Sequence, residues 1–598
     1  MTQSKIQNPQ SKILPLPYNP RPMSTALSPP LSEPLPVWRL GWLTPVRCRV
    51  ILALLLAFGF FSHLHYLIVD CPIDLSGDEA QYWDWSRQLG LSYYSKGPLV
   101  AYIIRASCAL FGETMPAVRF PAIVLAVGTS LVTYALTAFL FRSEKLALGA
   151  VLLTHLVPMF VAGSVLMTID PPYFFCWGVA TFLVARVLFS PGKPQAALLL
   201  WGLVGVFVGL GFLAKYAMFL WLIGLVVFML WDARSRRWFK TPGPWIMVGV
   251  SLLFTIPVLV WNAQNGWVSF KHVATQTGND GAGGFNPLHM LEFFGGQVGA
   301  VGPGLAVLMV GACVVAWRGR KVMSNSVDHT DAPDVIDSQD ATRTARAIFF
   351  LLCIGASFFL LTLLTSLRAK VQVNWPAPAY FSLMILTAWF IGNRLRSFKT
   401  WKPWRGFFWF TVGFGLVVTP LAHDMSVIYP YLPKISEALN LKKPLTPRKI
   451  DPTAKIRGWE ELGVRVGAEL ARLDSGAIVL SQDYQTTAAC AFYVPGQPVT
   501  YYVGSYFTDP TVRNRQSQYD MWENRRLDQP ELVGRDAIYV DAGGPSPSML
   551  EDLRRAFDTV EPLPVLDIVQ RGQKIRSFTL WRCENFRGMT YPAQSGRF

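Results

Sequence analysis

The chain has 598 residues, of which 52% are hydrophobic and only 15% are charged, and its mean hydropathy is +0.31. Because soluble globular domains have roughly 25% charged residues, this deficit excludes an ordinary soluble protein and indicates a bilayer protein. The net charge of +16 does not indicate a nucleic-acid partner, since most Lys and Arg residues lie in short clusters between long apolar runs.

The first 45 residues are rich in Pro, Ser, Gln and Asn and lack apolar periodicity, so we predict a disordered cytoplasmic tail over residues 1–45. The apolar run that follows begins too far from the N-terminus for an ordinary cleaved signal peptide.

Eleven segments are long and apolar enough to be membrane spans, since a spanning helix needs about 20 mostly apolar residues. They cover approximately residues 50–68, 118–141, 146–165, 172–190, 197–213, 216–231, 244–262, 293–317, 347–366, 377–393 and 406–422. Together they predict a transmembrane domain over residues 46–422.

The segment 98–112 is apolar but short, and it carries Arg105. With this segment outside the membrane and the N-terminus in the cytoplasm, the inner loops collect 20 Lys and Arg residues and the outer loops collect seven. A spanning 98–112 would invert this bias for every later loop, against the positive-inside rule. We therefore predict an interfacial or re-entrant helix here, within one outer loop over residues 69–117.

The odd number of spans places residues 423–598 on the same outer side, and their turns and short β-like runs predict a soluble α/β domain. In that compartment Cys490 and Cys583 could form a disulfide. The sequence thus predicts a multi-pass inner-membrane protein with an extracytoplasmic C-terminal domain.

The outer loop contains a helix start with two adjacent acids, Asp78 and Glu79. Ser76 and Glu79 have the spacing of a capping box, so Glu79 has either a capping role or a catalytic one. Asp78 lies one turn before Tyr82 among aromatic residues that exclude water. A carboxylate there is able to accept the proton of an acceptor hydroxyl.

Lys96 lies just before Pro98, which is a favourable first residue of a helix. A cation beside a helix N-terminus forms an anion pocket, because the free backbone N–H groups and the ammonium point at one place. The alternative is an interfacial lysine in contact with lipid head groups.

Other outer residues are candidates because charged groups are scarce on this face. Arg368 and Lys370 precede a helix that begins with proline, whereas Lys215 is more typical of a lysine that extends to the membrane surface. The candidates for substrate binding are Tyr82, Tyr94, Asp170 and His272; for Asp170 an ordinary Asp-Pro helix start is the alternative.

The chain lacks a Walker loop, a GxGxxG motif after a strand, a DxD motif and any Cys/His spacing typical of metal sites. A soluble nucleotide substrate, such as a nucleotide sugar, is therefore not expected. No metal site is predicted, and no cofactor is implied.

The runs Gly77-Asp78-Glu79-Ala80-Gln81-Tyr82-Trp83 and Tyr94-Ser95-Lys96-Gly97-Pro98-Leu99, followed by Val118-Arg119-Phe120-Pro121, resemble the family 39 glycosyltransferases. That family includes protein O-mannosyltransferases and lipid A aminoarabinose transferases. The resemblance covers about residues 70–420 and implies a GT-C fold with about 11 transmembrane helices and a polyprenyl-phosphate-sugar donor. It also implies a catalytic acid matching Asp78 and a donor-phosphate lysine matching Lys96. Relatives commonly have Lys-Pro-Pro where this chain has Lys96-Gly97-Pro98, which predicts a looser turn.

We therefore predict a glycosyltransferase that moves a sugar from a polyprenyl-phosphate donor to a lipid, glycan or protein acceptor on the extracytoplasmic face. Asp78 deprotonates or orients the acceptor, while Lys96, Arg368 and Lys370 stabilise the leaving lipid phosphate. The alternative is a flippase or transporter of lipid-linked sugars, which predicts charged residues within spans and an inverted repeat. A non-catalytic membrane scaffold leaves the acid and lysine of the loop unexplained.

Overall fold

The computed structural model describes residues 42–590 except residues 70, 191–192, 278–284, 326–334, 395–401, 422, 474–475, 507–516 and 545–546. Most of the predicted tail of residues 1–45 lies outside the described residues.

The described residues between 42 and 421 form a helical bundle with two short helices on the outer loop. The helices are α1 (Pro45–Val69), α2 (Gly77–Arg87), α3 (Leu99–Phe111), α4 (Met115–Phe141), α5 (Glu144–Thr154), α6 (Pro158–Gly163), α7 (Asp170–Phe189), α8 (Pro194–Ala214), α9 (Leu220–Trp231), α10 (Ala233–Arg236), α11 (Gly243–Gln264), α12 (Val268–Gln276), α13 (Pro287–Val301), α14 (Pro303–Asn325), α15 (Val335–Thr365), α16 (Ala377–Arg394) and α17 (Lys402–Leu421).

Among the described residues, six helices are long and apolar enough to cross a membrane, and the number rises to nine if each of three bent pairs is one span. The count of eleven stays a prediction. The helix α3 has 13 residues, so it is about 20 Å long and shorter than the roughly 30 Å hydrocarbon core.

Polar side chains form contacts between helices inside the bundle, because hydrocarbon offers these side chains no other partner. The indole N–H of Trp221 on α9 donates to the hydroxyl of Thr181 on α7 at 2.9 Å. Arg346 on α15 forms a buried ion pair with Asp232, which caps α10, at 2.6 Å. These contacts fix the order of helices around the core.

The C-terminal part is an α/β domain with a mixed sheet, as predicted. Its strands are β1 (Ile478–Ser481), β2 (Thr500–Tyr502), β3 (Ala537–Asp541), β4 (Phe557–Pro562), β5 (Leu566–Gln570) and β6 (Gln573–Phe586). Its helices are α18 (Leu432–Ala438), α19 (Pro447–Ile450), α20 (Trp459–Leu470), α21 (Tyr484–Tyr493), α22 (Gln518–Met521) and α23 (Pro547–Ala556).

The strand order is β2-β1-β3-β6-β4, in which β2, β1 and β3 are parallel, β6 pairs antiparallel with β3 and β4, and β5 also pairs with β6. Helices α20 and α21 pack on one face of the sheet and α23 packs on the other. Because both faces are covered, β1 and β3 are buried along their whole length, and β1 reads as a continuous apolar run.

Cys490 and Cys583, whose pairing the sequence left open, do not form a disulfide. Both are free and buried thiols. Cys490 belongs to the cluster on the α20–α21 face, whereas Cys583 belongs to the cluster on the α23 face. The sheet therefore separates the two sulfur atoms.

The C-terminal domain packs directly on the outer loop. Arg525 forms a fully buried ion pair with Asp84 of α2 at 2.8 Å. The backbone N–H of Trp459 donates to the carboxylate of Asp74 at 2.7 Å. The loop and the C-terminal domain therefore lie on the same side of the helical bundle.

Candidate functional site

Asp78 occupies the first turn of α2, where its side chain meets the C-terminal domain. Its Oδ1 accepts hydrogen bonds from Nε2 of Gln485 at 3.1 Å and from the hydroxyl of Tyr484 at 3.3 Å. The close approach of α2 to Gln485 requires a glycine before Asp78, because a Cβ on Gly77 would lie 2.3 Å from Cβ of Gln485. The sequence placed Asp78 correctly at a helix start, but gave no sign of its partners 406 and 407 residues away.

Glu79 makes structural contacts, as the capping alternative predicts, and its catalytic role stays a prediction. The capping box with Ser76 is formed. The carboxylate also binds Arg119 through two hydrogen bonds of 2.9 Å and accepts the N–H of Met167 at 2.8 Å. Both charged side chains are fully buried. The carboxylate of Glu79 therefore joins α2, α4 and the segment before α7.

Replacing Arg119 with Met is expected to destabilise the protein by about 3–5 kcal/mol, because it leaves the buried Glu79 without its cationic partner. Thermal unfolding of the detergent-purified protein measures this. The matched control is Arg105→Met, since the Arg105–Glu113 pair is separated by 3.6 Å and is partly exposed. That control should change stability by about 1 kcal/mol or less. Equal effects of the two variants would contradict the structural role of the buried pair.

Lys96 lies in the loop between α2 and α3. Burial and the nearby positive charge of Lys215 lower the pKa of Lys96 from its ordinary value to about 8. The carboxylates of Asp78 and Asp170 act in the opposite direction on the pKa of Lys96. The ammonium is therefore desolvated, within electrostatic range of two acids and of a second lysine, as an anion-binding group requires.

Gly97 lies in close contact with the end of α8, and the looser turn stays a prediction. A Cβ on Gly97 would lie 2.2 Å from the carbonyl oxygen of Leu213, near the end of α8. The absence of a side chain lets the Lys96 loop lie directly against the end of α8, next to Lys215.

The substitution Gly97→Ala is expected to push this loop away from α8, because a backbone oxygen cannot yield as a flexible side chain does. We expect transfer activity to fall at least about tenfold, since even a 1 Å displacement of a positioning group has a large effect. Initial rates measure this. The control Gly249→Ala adds a methyl group where nothing lies within 4 Å, so its rate should stay normal. A normal rate for Gly97→Ala would contradict the packing argument.

Asp170 and Lys215 form an ion pair beside Lys96. Nζ of Lys215 lies 2.8 Å from Oδ1 of Asp170, and Nδ2 of Asn374 donates to Oδ2 at 2.6 Å. Both charged side chains are mostly buried. The interpretation of Lys215 as a lysine that extends to the membrane surface is therefore wrong. Its ammonium points towards Asp170, to which Asn374 also donates. Asp78, Lys96, Asp170 and Lys215 are called the cluster below.

Tyr82 is buried among the acids of the cluster. Burial, together with the nearby carboxylates of Asp78 and Asp170 and the phenol of Tyr484, raises the pKa of Tyr82 well above its usual value. Its hydroxyl stays neutral at physiological pH, so it is able to donate a hydrogen bond to a substrate oxygen.

Tyr94 contacts both the bundle and the C-terminal domain. Its backbone N–H donates to Oε1 of Gln518 at 2.7 Å, and its ring centroid lies 5.1 Å from that of His272 on α12. The role of Tyr94 and His272 in substrate binding stays a prediction.

Arg368 and Lys370 are placed differently from the prediction. Both are exposed, and Lys370 forms an ion pair with the exposed Glu292 at 3.1 Å. Solvated cations bind a lipid phosphate less strongly than desolvated ones. The geometry therefore favours Lys96 and Lys215 as the phosphate-binding pair.

A cavity of about 770 Å³ leads from the cluster into the bundle. It reaches Asp170 and Asn374 at one end and is lined mainly by apolar side chains of α1, α4, α6, α7, α16 and α17. His63, His155 and His423 also line it. Asp170 at its end pairs with Lys215, and both lie within electrostatic range of Lys96. An apolar cavity with cations near one end has the chemistry to hold a lipid chain and its phosphate.

Within the described part of the chain, no group of three or more His, Cys, Asp or Glu side chains is arranged to hold a metal ion. The positive charge of the cluster comes from Lys96 and Lys215.

The fold defines the class of protein. It is similar to that of ArnT from Cupriavidus metallidurans bound to undecaprenyl phosphate, with a TM-score of 0.53, 13% identity, and coverage of 90% of this chain and 98% of that one. At this identity the likeness shows the fold alone, and it confirms the predicted GT-C fold. The chain is thus a multi-pass membrane protein.

Sequence matches agree with this class. Residues 95–261 match the family described as dolichyl-phosphate-mannose-protein mannosyltransferase. The lipid A galacturonosyltransferase RgtD of Rhizobium johnstonii is 29% identical over 342 residues, which are 56% of this chain and 65% of that relative. The undecaprenyl phosphate-alpha-4-amino-4-deoxy-L-arabinose arabinosyl transferase of Pseudomonas paraeruginosa is 30% identical over 34% of this chain and 39% of that relative.

The chain therefore spans less than two thirds of the length of either relative. The matches nevertheless confirm the resemblance stated from the sequence, because the matching family and both relatives are named for glycosyl transfer.

Proposed function

We propose that this chain transfers a sugar from a polyprenyl-phosphate donor to an envelope acceptor on the extracytoplasmic face of the inner membrane. The observation that supports the proposal is that Asp170, which lines the apolar cavity, forms an ion pair with Lys215. Lys96 lies within electrostatic range of this pair and of Asp78. The cavity takes the polyprenyl chain, the two lysines take its phosphate, and Asp78 faces the acceptor.

The proposed reaction is a direct displacement at the anomeric carbon. The acceptor oxygen forms a bond to that carbon while the bond from the carbon to the phosphate oxygen breaks. The proton of an acceptor hydroxyl passes to Asp78, and the lipid phosphate leaves with the bonding electron pair. Lys96 and Lys215 stabilise the negative charge that develops on the leaving phosphate. If the acceptor is itself a phosphate, it needs no base and Asp78 orients it.

The relatives support the substrate classes of this proposal. One is named for undecaprenyl phosphate-linked aminoarabinose and another for lipid A. Both names describe glycosyl transfer and neither describes transport. We therefore favour a lipid acceptor over a glycan or protein acceptor, and a transferase over a flippase.

The predicted topology indicates on which side of the membrane the proposed reaction takes place. With a cytoplasmic N-terminus, the 20 to seven distribution of Lys and Arg places the outer loop and the C-terminal domain outside. The direct packing of that domain on the loop agrees with a shared compartment.

The test uses the full chain purified in detergent, where no sidedness exists. It is incubated with undecaprenyl phosphate-linked aminoarabinose or with a polyprenyl phosphate carrying galacturonic acid, and with lipid A as acceptor. Mass spectrometry of the lipids is expected to show glycosylated lipid A and free polyprenyl phosphate. If no sugar moves in detergent, while vesicles containing the protein change the sidedness of the donor lipid, the protein is a flippase.

A further inference from the structure

We infer that the C-terminal domain contributes two positioning residues, Tyr484 and Gln485, that orient the Asp78 carboxylate for proton transfer. This inference rests on the proposed function, and it gives the C-terminal domain a part in the reaction. The inference is based on the hydrogen bonds that both side chains donate to the same oxygen of Asp78, Oδ1. The distance is 3.3 Å from the hydroxyl of Tyr484 and 3.1 Å from Nε2 of Gln485.

The two donors act as a connected unit. Nε2 of Gln485 lies 3.2 Å from the hydroxyl of Tyr484 and donates to it, while the hydroxyl proton of Tyr484 is directed at Asp78. Two donors on Oδ1 restrict rotation of the carboxylate. The other oxygen, Oδ2, is the one that we assign to the proton of the acceptor.

The domain holds these side chains on a rigid support. Tyr484 and Gln485 begin α21, just past the carboxyl end of the parallel strand β1, where α/β sheets place functional groups. Asp483 caps the helix by accepting the N–H of Thr486 at 3.0 Å. Gln482 donates to Asp541 at the end of β3 at 2.9 Å. The turn is therefore fixed to two neighbouring strands.

The interface also fixes α21 against α2. The buried Arg525–Asp84 pair lies on α2 less than two turns from Asp78. The contact of Gly77 with Gln485 leaves no space for a side chain between the two helices. The domain therefore cannot slide along α2 without breaking a buried ion pair, which keeps the donors at Asp78.

The test compares Gln485→Met and Tyr484→Phe with the unchanged protein. Met keeps the length of the side chain and Phe keeps the ring, so both remove a donor with little loss of packing. We expect kcat to fall roughly 10- to 100-fold for each variant, as for a hydrogen bond to a charged group. KM for the polyprenyl-phosphate donor should stay the same, because Lys96 and Lys215 bind it.

A pH profile separates positioning from simple structural support. The two hydrogen bonds favour the ionised carboxylate, so removing them should move the acidic limb of the kcat profile to higher pH. The matched control is Gln497→Met, which removes a contact of the same domain with the carbonyl of Glu113 in the same loop. The control should leave both kcat and the acidic limb unchanged.

The outcomes distinguish this inference from the proposed function. If Asp78→Asn abolishes transfer while both donor variants keep normal kcat and an unshifted pH profile, the positioning role is overturned and the function stands. If Asp78→Asn transfers sugar normally, the proposed function itself is overturned. Should Gln485→Met fail to fold in a thermal unfolding measurement, Tyr484→Phe alone decides.

Discussion

The substitution Asp78→Asn is expected to lower the rate of sugar transfer by about 10²- to 10⁴-fold, the usual contribution of a general base. Asn has the same shape and still accepts hydrogen bonds from Gln485 and Tyr484, but it cannot take the acceptor proton. Binding of the polyprenyl-phosphate donor should be retained, since the lysines of the cluster are unchanged. Initial rates at saturating donor, with the purified chain, measure the effect.

The matched control for this variant is Glu113→Gln, in the same loop. Glu113 pairs with the exposed end of Arg105 and accepts the indole N–H of Trp83. Because Gln keeps an oxygen that accepts this N–H, neutralising Glu113 should leave the rate almost normal. A near-normal rate for Asp78→Asn would contradict the assignment of Asp78 as the base. With a phosphate acceptor we expect instead a higher KM for that acceptor and a smaller change in kcat.

The sequence identified the outer loop and its first helix because those features depend on local rules. The capping box and the position of Asp78 follow from spacing within four residues, and the structure contains both. The role of Glu79 could not be decided in this way. Its main partner, Arg119, lies 40 residues away on α4, and spacing does not show which charged residues meet in the folded protein.

The same limit explains the errors about the lysines. Lys215 follows an apolar run, so it resembles a lysine that extends to the membrane surface, yet it pairs with Asp170 45 residues away. A usable signal was present, because the charge distribution put Lys215 on the outer face, where cations are few. Lys370 was chosen for its position before a helix, but its nearest acid is the exposed Glu292.

The contribution of the C-terminal domain had no local signal at all. Tyr484 and Gln485 lie on a helix of the α/β domain, and they contact Asp78 only because this domain packs on the outer loop. A domain that appeared to be an appended unit in the sequence therefore completes the surroundings of the acid. Such contacts arise from tertiary packing, which periodicity and composition do not encode.

The substitution Lys96→Met is expected to weaken binding of undecaprenyl phosphate by about 100-fold, because it removes a desolvated cation from the phosphate site. Binding of undecaprenyl phosphate alone, followed by native mass spectrometry or by thermal shift, measures this without knowledge of the sugar. Lys370→Met is the control, since that lysine is exposed and paired with Glu292. Its affinity should change by less than about threefold.

The pH dependence of binding gives a second test of Lys96. The pKa of Lys96 is lowered to about 8, so the ammonium is charged below pH 8 and loses its proton as the pH rises through 8. Affinity for undecaprenyl phosphate should therefore be highest below pH 8 and fall above it. In Lys96→Arg the guanidinium stays charged throughout this range, so the decline should be much smaller. Two results together would contradict the assignment of Lys96 to the phosphate site. These are an affinity of the unchanged protein that is independent of pH between 7 and 10, and normal binding by Lys96→Met.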